Sequence, residues 1–128
     1  MPEPTPIQPA QSGLSDNAAG ALAYVTFIPA ILFLVMEPYN KDKFIRFHSF
    51  QSIFYCVALI AFSIAWTILS VLLGLVSMGF LAGLMLLLST IIHLAFLCFW
   101  IFLVYKAYQN EYFRAPFIGD LAAKQAGV

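Results

Sequence analysis

Charge is scarce in this chain. Asp, Glu, Lys and Arg make up 9% of its 128 residues, against 62% apolar residues. Soluble domains carry roughly 25% charged residues. With a mean hydropathy of +0.91, a small globule would have too much surface to cover with so few charges, which argues against a water-soluble fold. No Lys or Arg precedes Lys41, and none of the four charged types lies between Arg46 and Lys106. Met1 is followed by neither a basic nor an apolar run, so no signal peptide is expected. Cysteine is nearly absent. Cys56 and Cys98 both sit inside apolar runs, with neither metal-ligand spacing nor a disulfide framework. They read as small packing residues; at similar depth they could also face each other, though a reducing cytoplasm disfavours a bond.

Catalytic groupings are missing too. The apolar middle holds no carboxylate, no Ser/His/Asp arrangement, no phosphate loop and no metal cluster. Two histidines at different depths do not make a metal site. We therefore expect no enzyme, no cofactor and no metal. Six cations in two segments, balanced by six acids, do not suit nucleic acid.

What is present is a charged segment that runs without a break into an apolar one, KDKFIRFHSFQSIFYCVALIAFSIAWTILSVLLG from Lys41 to Gly74. The charged part stays in water and the apolar part leaves it, as where a helix enters a bilayer. A straight helix over 51–105 would run about 80 Å, far beyond a ~30 Å hydrocarbon core. It must fold back where Gly74, Ser77, Gly79 and Gly83 cluster. This predicts spans over 53–75 and 81–105. A further uncharged stretch, 18–36, is just long enough to cross, with Ser15 or Asp16 as its cap. Pro29 predicts a kink within it, and a re-entrant element is the alternative. Asn40 or Asp42 is expected to cap the next helix. Its first turns carry a weak amphipathic pattern suited to the headgroup level.

The fold class expected is therefore all-α. It is an integral membrane bundle of three transmembrane helices, with an amphipathic cytoplasmic lead-in and a short C-terminal interfacial helix opened by Pro116. Residues 1–14, rich in Pro, form a disordered tail. Residues 15–128 form one membrane domain, ending in a cytoplasmic tail over 106–128. Trp66, Trp100, Tyr105 and Tyr108 suit the two interfaces. Three spans place all six cations on one side, which the positive-inside rule makes cytoplasmic, with the N-terminus outside and the C-terminus inside. The compartment expected is the cell inner (plasma) membrane.

His93 is the one His, Asp, Glu, Lys or Arg deep in the apolar region, and such a group is a functional candidate because holding it there is costly. The plainer reading is a neutral imidazole bonded to Ser89, Thr90, Ser63 or Thr67. Arg46, His48 and Gln51 share the start of the long apolar helix. They either solvate the headgroup region or form a polar face for the tail, a lipid phosphate or a partner. Asp120 is expected to pair with Arg46 and dock the tail, contributing only ~0–1 kcal/mol if exposed.

The segment KDKFIRFHSFQSI and the tail YQNEYFRAPFIGDLA resemble a group of small bacterial membrane proteins. That group is related to the Tic import component of the chloroplast inner envelope and to magnetosome proteins of the MamF/MmsF type. The resemblance runs from about Ser15 to Lys124. It rests on Arg46-Phe47-His48 with Gln51 and on Pro116-Phe117-Ile118-Gly119-Asp120. It implies an α-helical membrane protein and points to Arg46, His48, Gln51, Pro116, Gly119 and Asp120 as the positions to test. Its plastid members carry four spans, against three counted here. The function expected is a non-catalytic membrane scaffold or accessory protein, in contact with lipid and with a homo-oligomer or membrane-protein partner. The alternative is an oligomeric channel or translocon element in which His93 lines a path.

Overall fold

A computed structural model of the protein describes residues 13–128, so the Pro-rich segment read as disordered lies almost wholly outside the described residues. The described residues contain helices and no strand. The helices are α1 (Asp16–Leu22), α2 (Phe27–Val35), α3 (Lys43–Val76), α4 (Ala82–Tyr108) and α5 (Ile118–Ala126), with a 3₁₀ turn at Tyr39–Lys41 before α3.

Two helices are long and apolar enough to cross a membrane, α3 with 34 residues and α4 with 27. The most apolar stretch of each is almost wholly outward-facing: 0% of it is buried in α3 and 6% in α4. A core helix of a soluble protein would show the reverse. At 1.5 Å per residue α3 is about 51 Å long, so only part of it lies in a ~30 Å hydrocarbon layer. Ile53–Val76 is long enough to cross, which leaves the ten-residue lead-in Lys43–Ser52 beyond the length a crossing needs. The hairpin closes where the glycine cluster predicts. Gly79 takes a left-handed φ of 88°, its N–H reaches the Gly74 carbonyl at 2.7 Å, and the Ser77 hydroxyl accepts from Leu81 N–H at 3.1 Å. Met78 and Phe80 point out of this turn.

The expected span over 18–36 is not one helix. It breaks after Leu22 into α1 and α2, of 7 and 9 residues, each under half the length needed to cross. The break has a local cause. Thr26 is extended and its hydroxyl accepts from Ile28 N–H at 3.3 Å, starting a new helix. Pro29 then falls in the first turn, where its missing N–H costs nothing, so it opens α2 rather than kinking a longer helix. Gly20 lets α1 lie close on α3; a Cβ there would stand 2.7 Å from Phe44 Cε1. Tyr24, at the break, packs among Tyr55, Leu103 and Ala107. Ala30 and Phe33 of α2 then return to Phe44 and Ile45. The pair is a V that goes in and comes back. Its start is beside its end: Leu14 N–H donates to Tyr39 Oη at 3.0 Å. The beginning of α1 therefore lies at the cation-bearing end of the hairpin, not at the opposite end that a third span would require.

The lead-in forms the first turns of α3, and protein covers it. Phe44, Phe47, His48, Gln51 and Ser52 are all buried there beneath the V and the tail. Asp42, not Asn40, caps it, accepting from Ile45 N–H at 3.0 Å. At α1, Ser15 holds the cap position without a side-chain cap bond. The short C-terminal helix is present, beginning two residues after Pro116. Ala122, Ala123 and Ala126 of α5 lie against Phe47.

Candidate functional site

The lead-in of α3 holds the chain's buried polar core. His48 and Gln51 are both 0% exposed, and a buried polar group is costly unless bonded. Each finds partners from the two elements packed over it. His48 Nε2 lies 2.9 Å from the carbonyl of Glu111. A carbonyl only accepts, so Nε2 carries the proton and Nδ1 is the acceptor. Tyr24 Oη, 2.8 Å from Nδ1, must then donate. It accepts in turn from Gln51 Nε2 at 2.7 Å. The hydrogens run one way: Gln51 to Tyr24 to His48 to the tail.

Gln51 holds the tail as a neighbouring strand would. Its Nε2 donates to Phe113 O at 3.0 Å and its Oε1 accepts from Ala115 N–H at 2.9 Å. The tail between α4 and α5 has no helix of its own here, and the two bonds satisfy buried backbone groups that water cannot reach. Phe44 and Phe47 put ring edges on the imidazole, at 4.5 and 4.9 Å between centroids. Burial pushes His48 down to about 4 from its ordinary 6.5, opposed by the bond to Glu111. The network is thus built for a neutral histidine. Burial likewise raises Tyr24 and Tyr112. Asp16 is raised by burial and then by the Asp42 carboxylate beside it.

Arg46 closes the far end. Its guanidinium donates to Gln125 O at 3.2 Å, at the end of α5, and to Asn40 O at 3.1 Å. That is where a cation suits a helix, opposite the exposed carbonyls of its last turn. Asp120 does not meet Arg46. It pairs with Arg114, six residues away, at 3.1 Å and largely in solvent. The tail docks under the loop through Arg46, His48 and Gln51, without Asp120. Gly119 has a steric role: a Cβ would lie 2.6 Å from Arg114 Cα and 2.7 Å from its carbonyl carbon, both backbone. Pro116 lines an apolar groove between the spans, and Phe117 beside it is 91% exposed.

Two further anchors escape sequence reasoning. Trp100 Nε1 donates to Tyr24 O at 2.6 Å, satisfying a carbonyl freed where α1 stops. Tyr55 Oη donates to Phe96 O at 2.6 Å, tying α3 to α4. The interfacial depth of Trp100 and the polar tip of Tyr24 were the available signals; neither specifies a partner.

His93 is well apart from this cluster. Nδ1 donates to Ser89 O at 2.7 Å and Nε2 lies 3.4 Å from Ser63 Oγ. These are two of the partners expected for a neutral imidazole, yet the ring remains exposed on the surface of the hairpin. Cys56 and Cys98 are free thiols. Among the described residues no group of three or more His, Cys, Asp or Glu is placed to hold a metal.

Two outward-facing apolar helices, a folded-back pair of short helices packed on them, and a docked tail define an α-helical membrane protein. The chain belongs to the magnetosome magnetite crystal formation protein family, which it matches over residues 15–122. Its relatives include a UPF0132 membrane protein of Methanocaldococcus jannaschii, 39% identical over 111 residues that cover 86% of this chain and 87% of the relative. A UPF0132 membrane protein of Archaeoglobus fulgidus is 35% identical over 115 residues, covering 89% and 98%. A second from M. jannaschii is 33% identical over 113 residues, covering 88% and 71%. These three relatives are archaeal, and none of these matches is to a plastid import component. No solved structure matches the chain.

Proposed function

We propose that the chain is a non-catalytic scaffold or accessory protein of the plasma membrane, and that its working part is the docked platform at the cation-bearing end. The observation that supports this is the use made of His48 and Gln51. Both are consumed in fixing the tail, with neither end of the network open to a substrate. What the tail presents outward is α5, with Leu121 and Phe117 exposed. On this reading the platform faces the cytoplasm, because all six cations lie at that end. The start of the described chain then lies there too, since Leu14 is bonded to Tyr39. The family's description speaks of magnetite crystals, while the archaeal relatives are described only as membrane proteins. A general membrane role common to both is the reading favoured here.

A photo-crosslinker at Leu121, used in native membranes, tests this. Discrete protein adducts are expected, and Gln51→Leu, which frees the tail, should abolish them. Adducts unchanged by Gln51→Leu would overturn the platform reading. The second reading, an oligomeric channel or translocon element, draws on the exposure of His93 in mid-span. It predicts a flux across vesicles that His93→Leu removes and Gln51→Leu does not.

A further inference from the structure

The two spans differ on their two sides. On one side an apolar groove of about 600 Å³ runs between α3 and α4, lined by residues such as Ala58, Phe62, Ile92 and Phe99. The one hydroxyl there, on Tyr55, is already bonded to Phe96 O. On the other side lie three concavities in series. The first, about 390 Å³, is bounded by Thr26, Cys56 and His93. The second, about 460 Å³, shares Leu59 with the first and holds Ser63 and Thr67. The third, about 440 Å³, shares Thr67 with the second and reaches Ser70 and Ser89. The side chains of Ser63, Thr67, Ser70, Ser89 and His93 are thus gathered on one face, from the re-entrant break to the hairpin turn.

That face is incompletely satisfied. With Nδ1 donating to Ser89 O, Nε2 of His93 is left as an acceptor, and the donor it finds is Ser63 Oγ at a long 3.4 Å. Trp66 Nε1 and Ser70 Oγ, beneath the third concavity and covered by the chain itself, also lack partners, as do Asn40 Oδ1 and Ser49 Oγ at the other end. Acyl chains offer neither donor nor acceptor. Polar groups in spans face a bundle interior or a wet cavity for that reason, and a two-helix hairpin has no interior of its own. Ile60, Ile64 and Ile68 stand beside the grooves at i, i+4 and i+8, each 56–58% exposed. Such a ridge fits the groove of an identical helix.

We propose that this polar face is the seam along which two copies of the chain associate inside the membrane, with His93 of each near its centre. Two copies inserted in the same sense are related by a two-fold axis normal to the bilayer. Equal depths then meet. Ser63 and His93 lie at one depth, so the Ser63 hydroxyl of each copy can reach the His93 Nε2 of the other. An unrelated partner would have to bring matching groups at that depth; a second copy has them by symmetry. The seam is a property of the spans and is independent of what the tail platform holds.

Disulfide crosslinking in vesicles of phosphatidylcholine and phosphatidylglycerol tests it, with both native cysteines replaced by Ala. Ile64→Cys lies on the polar face and Ile91→Cys on the apolar one, at 57% and 55% exposure. Ile64→Cys, with Ile60→Cys as a second probe, should crosslink at least tenfold faster than Ile91→Cys. Adding His93→Leu should slow the Ile64→Cys reaction at least fivefold. Protease resistance of the tail reports whether each variant is folded. Equal rates on the two faces, or a rate indifferent to His93→Leu in folded protein, would overturn the seam while leaving the platform reading standing.

Discussion

Single residues decide whether the platform holds. Gln51 is the most demanding, because one amide satisfies Phe113 O, Ala115 N–H and Tyr24 Oη. Gln51→Leu keeps the volume and strands these groups. At roughly 1–3 kcal/mol per buried unpaired group, and with some relaxation, the docked tail should lose on the order of 3 kcal/mol. Hydrogen exchange at the Ala115 amide should rise accordingly, and an unchanged rate would remove Gln51 from this role. His48 makes a pH prediction of definite sign. Its docked pKa of about 4 lies below the ordinary 6.5, so the undocked state binds the proton first. The tail is at full stability above about pH 6.5 and weakens as pH falls toward 4, below which the loss levels off. The full loss is on the order of 3 kcal/mol. Exchange at the same amide between pH 7 and 5, corrected for the intrinsic rate, measures it. His48→Phe should flatten the slope whatever it does to the absolute stability. The grouping of Arg46, His48 and Gln51 is legible in the sequence as a polar face on an otherwise apolar helix. Their partners are not, because all three bond to backbone, which carries no sequence signature. The expected Arg46–Asp120 pair fails for a related reason. Arg114 is six residues from Asp120 and reaches it with less chain to order.

At the scale of elements, the tail and the V are held by close approach more than by charge. Gly119 sits where a Cβ would meet the Arg114 backbone at 2.6 Å, whereas Gly20 sits against the ring of Phe44 at 2.7 Å. A ring can shift by a few tenths of an ångström; a backbone held at both ends cannot. Gly119→Ala should therefore destabilise the docked tail more than Gly20→Ala destabilises α1. The costs expected are about 2–3 and about 1 kcal/mol on the scale of overpacked sites. Proteolysis near Arg114 in detergent-solubilised protein would rank them, and the reverse order would contradict the geometry. Trp100 is the latch of the V. Trp100→Phe keeps most of the ring and removes the donor to Tyr24 O, so about 1–2 kcal/mol of thermal stability should go with it. The V itself is where hydropathy misleads. Uncharged residues over 18–36 read as a crossing segment because a sliding average ignores where helices start. The corrective signal was local: Thr26 followed by Phe27, Ile28 and Pro29 is a helix beginning, with a hydroxyl cap and a proline in the first turn.

At the scale of the whole described chain, the fold is a hairpin whose two described ends are gathered into one collar, and this bears on how the chain can sit in a bilayer. α3 exceeds a ~30 Å core by about 20 Å, and that excess is the segment wrapped by α1, α2 and α5. The collar contains every Lys and Arg of the chain, while the opposite turn ends in Met78 and Phe80 with no charge at all. Moving six cations across a membrane is far more costly than moving an uncharged turn, so the collar should stay cytoplasmic. Both described ends of the chain follow it, because Leu14 is bonded to Tyr39 and α5 lies on the lead-in of α3. Single cysteines at Leu14, Gln125 and Met78, in a chain lacking Cys56 and Cys98, would read this out with a membrane-impermeant maleimide. Met78→Cys should label in intact cells, and Leu14→Cys and Gln125→Cys only after lysis. Labelling of Leu14→Cys in intact cells while Gln125→Cys stays protected would mean that the first stretch crosses after all, and that the V opens into a single helix in the membrane. That outcome would require the bonds from Trp100 to Tyr24 and from Tyr24 to His48 to be given up together, and nothing in an uncharged helix would replace them.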